Sequence, residues 1–476
     1  MTLDWKKLMN QGRRKDKVKV ASAQPSSTGK SGETRTETER DYDRILFSTP
    51  VRRLADKTQV FPLERNDSVR TRLTHSHEVS NLARSVGTNL AFNAKIADAD
   101  MNYLRNVPAM LAAAGLAHDL GNPPFGHKGE AAIQDWFKKN QELWKDSSLT
   151  DAMKQDFLKF EGNAQTLRVL AKLQILQDEY GLNLTYGTLA ALMKYPVSSD
   201  STNSNKAATK KHGFFQSEKT IVEEIWTETG LQSGWRHPFT YVMEACDDIA
   251  YSALDAEDAI KKGLASFSDL IAFLRHRGNA DPVTKEVCDK AEKHHLEFRE
   301  QKLSPAELND ISMQMFRVHA LGAMIREITE TFHKSLPSIL VGTQSRDLID
   351  ESQAKVLCGS LKEFDRRYAY VHRSVLEIEL TGYHVIQRLM DHFWEAIRAR
   401  EDDLKIDSKR RNPFANYTYN RISENYRRIA EASTNTMPVR YKELQLMTDM
   451  ISGMTDTFAI EFCKELDKCR GNSQNN

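Results

Sequence analysis

The sequence predicts an all-α protein, and three observations carry that expectation. Apolar residues recur at three- and four-residue steps, as in Val79, Leu82 and Val86, or Leu444, Met447, Ile451, Met454 and Phe458. YVMEACDDIAYSALDAEDAIKKGL (241–264) runs without glycine or proline until Gly263. Alternating apolar and polar patterns are rare; RRLADKTQVFP (52–62) is where a short strand could lie.

The chain has 476 residues, enough for about two or three average domains. Residues 1–40 read as a basic, polar, flexible segment. Arg13, Arg14, Lys15, Lys17 and Lys19 come first, and SAQPSSTGKSGETRTETER then has too few large apolar side chains to offset its ordering entropy. Residues 41–270 read as the main helical core and 271–476 as a C-terminal helical region making substrate and subunit contacts. MLAAAGLAHD (110–119) is a mostly apolar, buried helix; Gly121 is free to stop it, NPPFG makes a rigid turn, and HKGEAAIQDWF (127–137) starts a new helix. PVSSDSTNSNKAATKKHG (196–213) reads as a long surface loop.

A net charge of +1 gives no global field toward nucleic acid or membrane. Five cysteines, none in a CxxC pair, argue against a disulfide framework, and no segment resembles a signal peptide or approaches a membrane span. A soluble, cytoplasmic protein with no membrane partner is the expectation.

The chemistry concentrates in LAHDLGNPPFGHKGE (116–130). His118 and Asp119, at a helix end, can converge on one ion. His127 and Glu130 lie one turn apart on the next helix. His75 lies upstream on an amphipathic helix; His77 faces elsewhere, so one of the two shares a site. Downstream, Asp247 sits among Val242, Met243, Ala245, Ile249 and Ala250, where a carboxylate must be paired, hydrogen-bonded or on a metal. Asp247, Tyr251 and Asp255 follow at four-residue steps on one face. Two histidines with two aspartates suit one divalent ion of intermediate hardness, such as manganese or iron; magnesium alone prefers oxygen ligands.

His75, His118-Asp119 and Asp247 match the H…HD…D pattern of the HD phosphohydrolases. RLTHSHEV, HDLGNPPFGHKGEAAI, FEGNAQ, MKYP and DDIAY, with KTQVFP and GMTDTFA, resemble the deoxyguanosine triphosphate triphosphohydrolase (dGTPase) family from about Asp41 to Ala459. His77 and Thr457 depart from the family's pattern, and 196–213 matches poorly. The resemblance implies an HD-domain helical core with a C-terminal helical lobe. It also implies one divalent metal per subunit (Mn2+ or Mg2+, with Fe2+ or Co2+ as alternatives) held by His75, His118, Asp119 and Asp247. The implied reaction is hydrolysis of dGTP to deoxyguanosine and inorganic triphosphate, by water attack at the α-phosphorus.

Within that frame His127, oriented by Glu130, is the candidate base, or the general acid to the leaving 5′-oxygen. Lys194 and Asn163 resemble the family's phosphate contacts, and Tyr251 could donate to a phosphate oxygen. Arg53, Lys57 and Arg72 are further cations, each as readily placed at the surface. Arg411 and Arg421, in a basic, tyrosine-rich stretch (408–428) that reads as an exposed helix, could reach a triphosphate in a neighbouring subunit. Gln59 resembles the residue that reads the 3′-hydroxyl. Val60 with Tyr251 could crowd the 2′ position, and Asp255 could accept from the sugar. Partners implied are dGTP or another dNTP, further copies of the chain (a hexamer by resemblance) and single-stranded DNA as effector. The alternatives are a broad dNTP triphosphohydrolase, another HD-type phosphoesterase, or a nucleotide- or DNA-binding regulator.

Overall fold

The computed structural model describes residues 2–21, 33–64, 66–93, 101–174, 178–278 and 280–474. Helices, turns and loops account for all of them, with isolated β-bridges in place of any sheet. The stretch considered for a strand, 52–62, lies at the end of a helical turn (Thr49–Arg53), followed by a 3-10 turn (Leu54–Asp56) and a single bridge from Thr58 to Thr71.

Helix α1 (Glu37–Leu46) begins with a reciprocal cap. Thr36 N donates to Glu39 at 2.8 Å, and Glu39 N donates to the Thr36 hydroxyl at 3.3 Å. The central pair is α2 (Arg72–Phe92) and α3 (Met101–Ala117). They approach closely because small residues face each other: a Cβ on Gly115 would sit 2.8 Å from the Ser80 Cα. Ser80 Oγ also donates to the Ala112 carbonyl at 2.8 Å, so the contact is bonded as well as packed.

The chain then turns into α4 (Gly126–Lys139), α5 (Gly162–Arg168) and α6 (Tyr186–Leu192) before the long α7 (Pro238–Lys261). One apolar core gathers side chains of α2, α3 and α7 with α8 (Pro305–Leu340) and α9 (Lys355–Asp365). A second gathers α4 with α10 (Arg373–Arg398), α11 (Val439–Ser452) and α12 (Asp456–Gln474). The apolar stripe read near the C-terminus is interrupted at Gly453, between α11 and α12. Its Leu444, Met447, Ile451 and Met454 are buried, whereas Phe458 is 40% exposed.

The N-terminal segment departs from the flexible reading. Leu3 and Leu8 are buried in a third core, and Leu3 N donates to the Leu340 carbonyl at 2.8 Å. Several of its basic residues form ion pairs: Arg13 with Asp41 and Glu37 at 2.7 Å, Lys17 with Glu228 at 2.7 Å. Residues 22–32 of the expected linker lie outside the described residues, and α1 already includes 37–40.

Segment 196–213 is also more than a surface loop. Ser199 and His212 are fully buried; Ser199 Oγ donates to Asp156 at 2.6 Å, and His212 Nε2 lies 2.8 Å from the Lys159 carbonyl. Its polar composition hid this because the buried side chains are satisfied by hydrogen bonds rather than by apolar packing.

Candidate active site

Three elements deliver the cluster. His75 comes from the first turns of α2, His118 from just beyond α3, and Asp247 from the middle of α7. His75 Nε2 lies 3.1 Å from Asp247 Oδ1, and His118 Nε2 lies 3.4 Å from the same oxygen. One ligand atom from each of the three residues lies within 4.8 Å of the others. His118 Nδ1 sits 2.7 Å from the Gly115 carbonyl and donates its proton there, so Nε2 is the nitrogen turned toward Asp247. That buried Nε2 has no hydrogen-bond partner, which fits a cation seated among the three residues.

Asp119 stands at the rim. Its Oδ2 is 3.5 Å from His118 Nε2, but the same oxygen is taken by Arg72, and Asn122 donates to Oδ1 at 2.7 Å. Burial alone would lower the His118 imidazole; Asp119 and Asp247 reverse this and raise it to about 9. Burial likewise favours the neutral form of Asp247, yet His118, His75 and Lys194 hold it well below the usual carboxylate range. His77 is exposed and lies outside the cluster.

The turn after Asp119 has little room for variation. A Cβ on Gly121 would come within 2.2 Å of the Thr166 amide nitrogen, so only glycine lets α5 close against it. Phe125 adopts φ 61°, the left-handed region, with its N–H donating to Asp456 Oδ1 at 2.9 Å and its ring filling the space beside Gly382. This aims α4 so that His127 Nδ1 meets Glu130 Oε2 at 3.1 Å. Glu130 is buried and also accepts from the Gly162 N–H at 2.7 Å, whereas the His127 side chain is 84% exposed. The bond to Glu130 raises the His127 imidazole.

Arg72 is buried, not superficial. It links Asp119 to the Thr58 carbonyl at 3.1 Å, beside Gln59. Lys57 is buried too, donating to the carbonyls of Asn122 and Ser452 at 2.6 and 2.7 Å. Arg53 donates to Tyr426 and to the Gly453 carbonyl at 3.1 and 3.0 Å.

Lys194 Nζ lies 3.7 Å from Asp247 Oδ2 and 3.1 Å from Glu244 Oε1, which places it at the cluster. Burial would lower its ammonium, but Glu244 raises it well above the ordinary value, so it stays cationic. Asn163 Nδ2 donates to Glu161 at 2.6 Å, and Lys211 pairs with the other oxygen of Glu161 at 2.7 Å. Gln59 is half-buried, with its Oε1 unpartnered. Val60 packs with Phe61, Val69, Ala259 and Val375 in a small satellite core. Tyr251 packs beside Tyr370, whose hydroxyl donates to Asp255 at 2.7 Å.

The structure does not bring Arg411 or Arg421 to the cluster within this subunit. Arg411 is 59% exposed, and Arg421 pairs with Glu465 at 2.6 Å beside a cavity of about 330 Å³ that it shares with Arg53 and Phe458. The stretch 408–428 is not one exposed helix either: it holds helix Pro413–Asn420 and the start of Glu424–Glu431, and Arg410 is buried 3.4 Å above the Tyr419 ring.

Sequence reasoning missed Glu161, Lys211, Glu244, Lys362 and Tyr370. Lys362 Nζ meets Asp248 at 2.5 Å, which turns the second aspartate of DDIAY away from the cluster. Glu244, one turn before Asp248 and buried in an apolar helix, carried the same signal that singled out Asp247.

A cluster of two buried histidines and a half-buried aspartate at a helix junction defines the class, and the HD domain family matches residues 72–159. The chain is 37% identical over 479 residues (98% of this chain, 99% of the relative) to a deoxyguanosinetriphosphate triphosphohydrolase-like protein of Listeria monocytogenes. It is 32% identical to a probable deoxyguanosinetriphosphate triphosphohydrolase of Pseudomonas aeruginosa, covering 88% of this chain and 91% of the relative. A deoxyguanosinetriphosphate triphosphohydrolase of Yersinia pestis is 31% identical, covering 94% and 98%. The chain belongs to the deoxyguanosinetriphosphate triphosphohydrolase family of HD-domain proteins.

Proposed function

We propose that the protein hydrolyses a deoxynucleoside triphosphate, dGTP foremost, to the deoxynucleoside and inorganic triphosphate. The observation that carries this reading is the unpartnered, buried His118 Nε2 facing Asp247 and His75, with the His127–Glu130 pair on the next helix. His75, His118 and Asp247, with Asp119 beside them, would hold a divalent cation, which when bound would supply Lewis-acid polarisation and neutralise charge. Manganese suits the mixed nitrogen and oxygen donors; magnesium, iron and cobalt remain alternatives.

His127 acts as the proton acceptor. Glu130 holds the Nδ1 proton, which leaves Nε2 free to take one from the attacking water. Lys194 and Asn163 meet the triphosphate, and Lys211 adds a cation on the same side through Glu161. Gln59, with its free carbonyl oxygen, Tyr251 and Asp255 receive the sugar, and Val60, next to Gln59 in the chain, crowds the 2′ position together with Tyr251. The exposure of Arg411 suits a contact made across a subunit boundary in a homo-oligomer, a hexamer by resemblance. Single-stranded DNA as an effector belongs to the same reading; Lys409, Arg411 and Arg428 are exposed cations in the stretch 408–428.

The test is a panel of the four deoxynucleoside triphosphates and GTP, with Mn2+ or Mg2+, resolved by chromatography. Inorganic triphosphate released from dGTP ahead of the others supports the reading. Equal release from all four deoxynucleotides moves it to a broad triphosphohydrolase, and pyrophosphate or orthophosphate as the product rejects it.

A further inference from the structure

We infer that Arg236 is a positioning residue for the polyphosphate end of the substrate, holding Lys194 from both of its ends. This rests on the proposal that Lys194 receives the triphosphate. The Arg236 side chain is fully buried, and three of its contacts bear on Lys194 or on the segment that follows it. Its Nε donates to the Lys194 carbonyl at 2.7 Å, which fixes the lysine backbone. Its Nη1 pairs with Glu244 Oε2 at 2.5 Å, and the other oxygen of Glu244 lies 3.1 Å from Lys194 Nζ. One guanidinium thus fixes the lysine's main chain directly and its ammonium through a shared carboxylate.

Two further contacts extend the joint. Nη2 donates to the Ala207 carbonyl at 2.8 Å, within the segment that carries Lys211 to Glu161. Nη1 also meets Asp347 Oδ1 at 2.6 Å, and Asp347 balances the charge from the C-terminal side. Tyr195 and Tyr241 flank the guanidinium, with ring centroids 5.6 and 5.3 Å away. Gly342, at φ 71°, makes the C-terminal approach feasible, since a Cβ there would lie 2.2 Å from the Trp235 ring. A lysine at 236 would keep the charge but not the planar fork that reaches four partners at once.

The test compares full-length wild type, Arg236→Lys and Asp347→Asn by calorimetry, with magnesium tripolyphosphate and deoxyguanosine as separate probes. Neither probe requires turnover. Arg236→Lys is expected to weaken tripolyphosphate binding by about 10-fold or more, and Asp347→Asn by about 3-fold, because both act on a buried charge network. Deoxyguanosine binding should stay within about 2-fold, since a general loss of structure would weaken both probes alike. Unchanged tripolyphosphate affinity, equal loss for both probes, or a wild type that binds no tripolyphosphate overturns the inference. If Arg236→Lys fails to fold, Asp347→Asn decides alone. A wild type that binds tripolyphosphate but releases none from any deoxynucleotide leaves this inference standing and removes the proposed reaction instead.

Discussion

The Gly115 carbonyl decides which nitrogen of His118 faces Asp247, and that choice is what makes a helix-end histidine fit the proposed cation site. Asp247 meets both histidines through one oxygen, so its loss disturbs both at once. Asp247→Ala should lose bound manganese and turnover together, read by metal analysis alongside triphosphate release. His127→Ala should lower kcat by about 10²–10⁴ while keeping wild-type metal content, as removal of a general base does. Metal loss in His127→Ala would contradict the separation of roles. At this scale the sequence was informative wherever a polar residue interrupts an apolar helix, as at Asp247, and wherever two groups sit one helical turn apart, as at His127 and Glu130. It was silent on Arg72 and Lys57. A cation in a short motif looks the same whether it faces solvent or carbonyl oxygens, and only the fold puts Asp119, Asn122 and Ser452 around these two.

Among the elements, α2 and α3 set the spacing of His75 and His118. Gly115→Val should lower stability by about 1–3 kcal/mol, because a Cβ meets the Ser80 backbone and a branched side chain forces the helices apart. Urea denaturation checks this, and an unchanged midpoint would show that the crossing tolerates bulk. The start of α7 carries a pH dependence. His237 is buried, accepts from the Phe239 N–H at 3.1 Å through Nδ1, and faces the Leu8 carbonyl at 3.2 Å through Nε2. Burial lowers its imidazole to about 4, so the folded state excludes a proton that the unfolded chain binds below about 6.5. Its stabilisation is full above pH 6.5 and is lost as pH falls toward 4, amounting to about 3 kcal/mol at the acid end. His237→Asn, which keeps a capping acceptor, should flatten the decline in thermal midpoint between pH 7 and 4. A parallel decline in both proteins would assign the acid sensitivity elsewhere. The long helices were legible because a 3.6-residue period over many turns is hard to mistake. The helical turn at Thr49–Arg53 was not, since so short a segment looks alike under either period. The docking of residues 2–17 was hidden for a different reason: its basic side chains are neutralised by distant partners such as Asp41 and Glu228.

Over the whole molecule, the C-terminal helices complete the core that carries the site. Asp449 on α11 pairs with Arg168 of α5 at 2.6 Å, and Asp456 on α12 holds the Phe125 turn that aims His127. A division at residue 270 therefore describes chain order better than it describes the packing. The families of contact that cross it were beyond sequence reading, because they join residues nearly 300 positions apart. What the assembled molecule does rests on where water attacks. Turnover of dGTP in ¹⁸O-labelled water with Mn2+, followed by mass spectrometry of both products, measures this directly. Attack at the α-phosphorus places one ¹⁸O in the released triphosphate and none in deoxyguanosine; label in the 5′-hydroxyl, or label in orthophosphate with no triphosphate formed, would contradict the account.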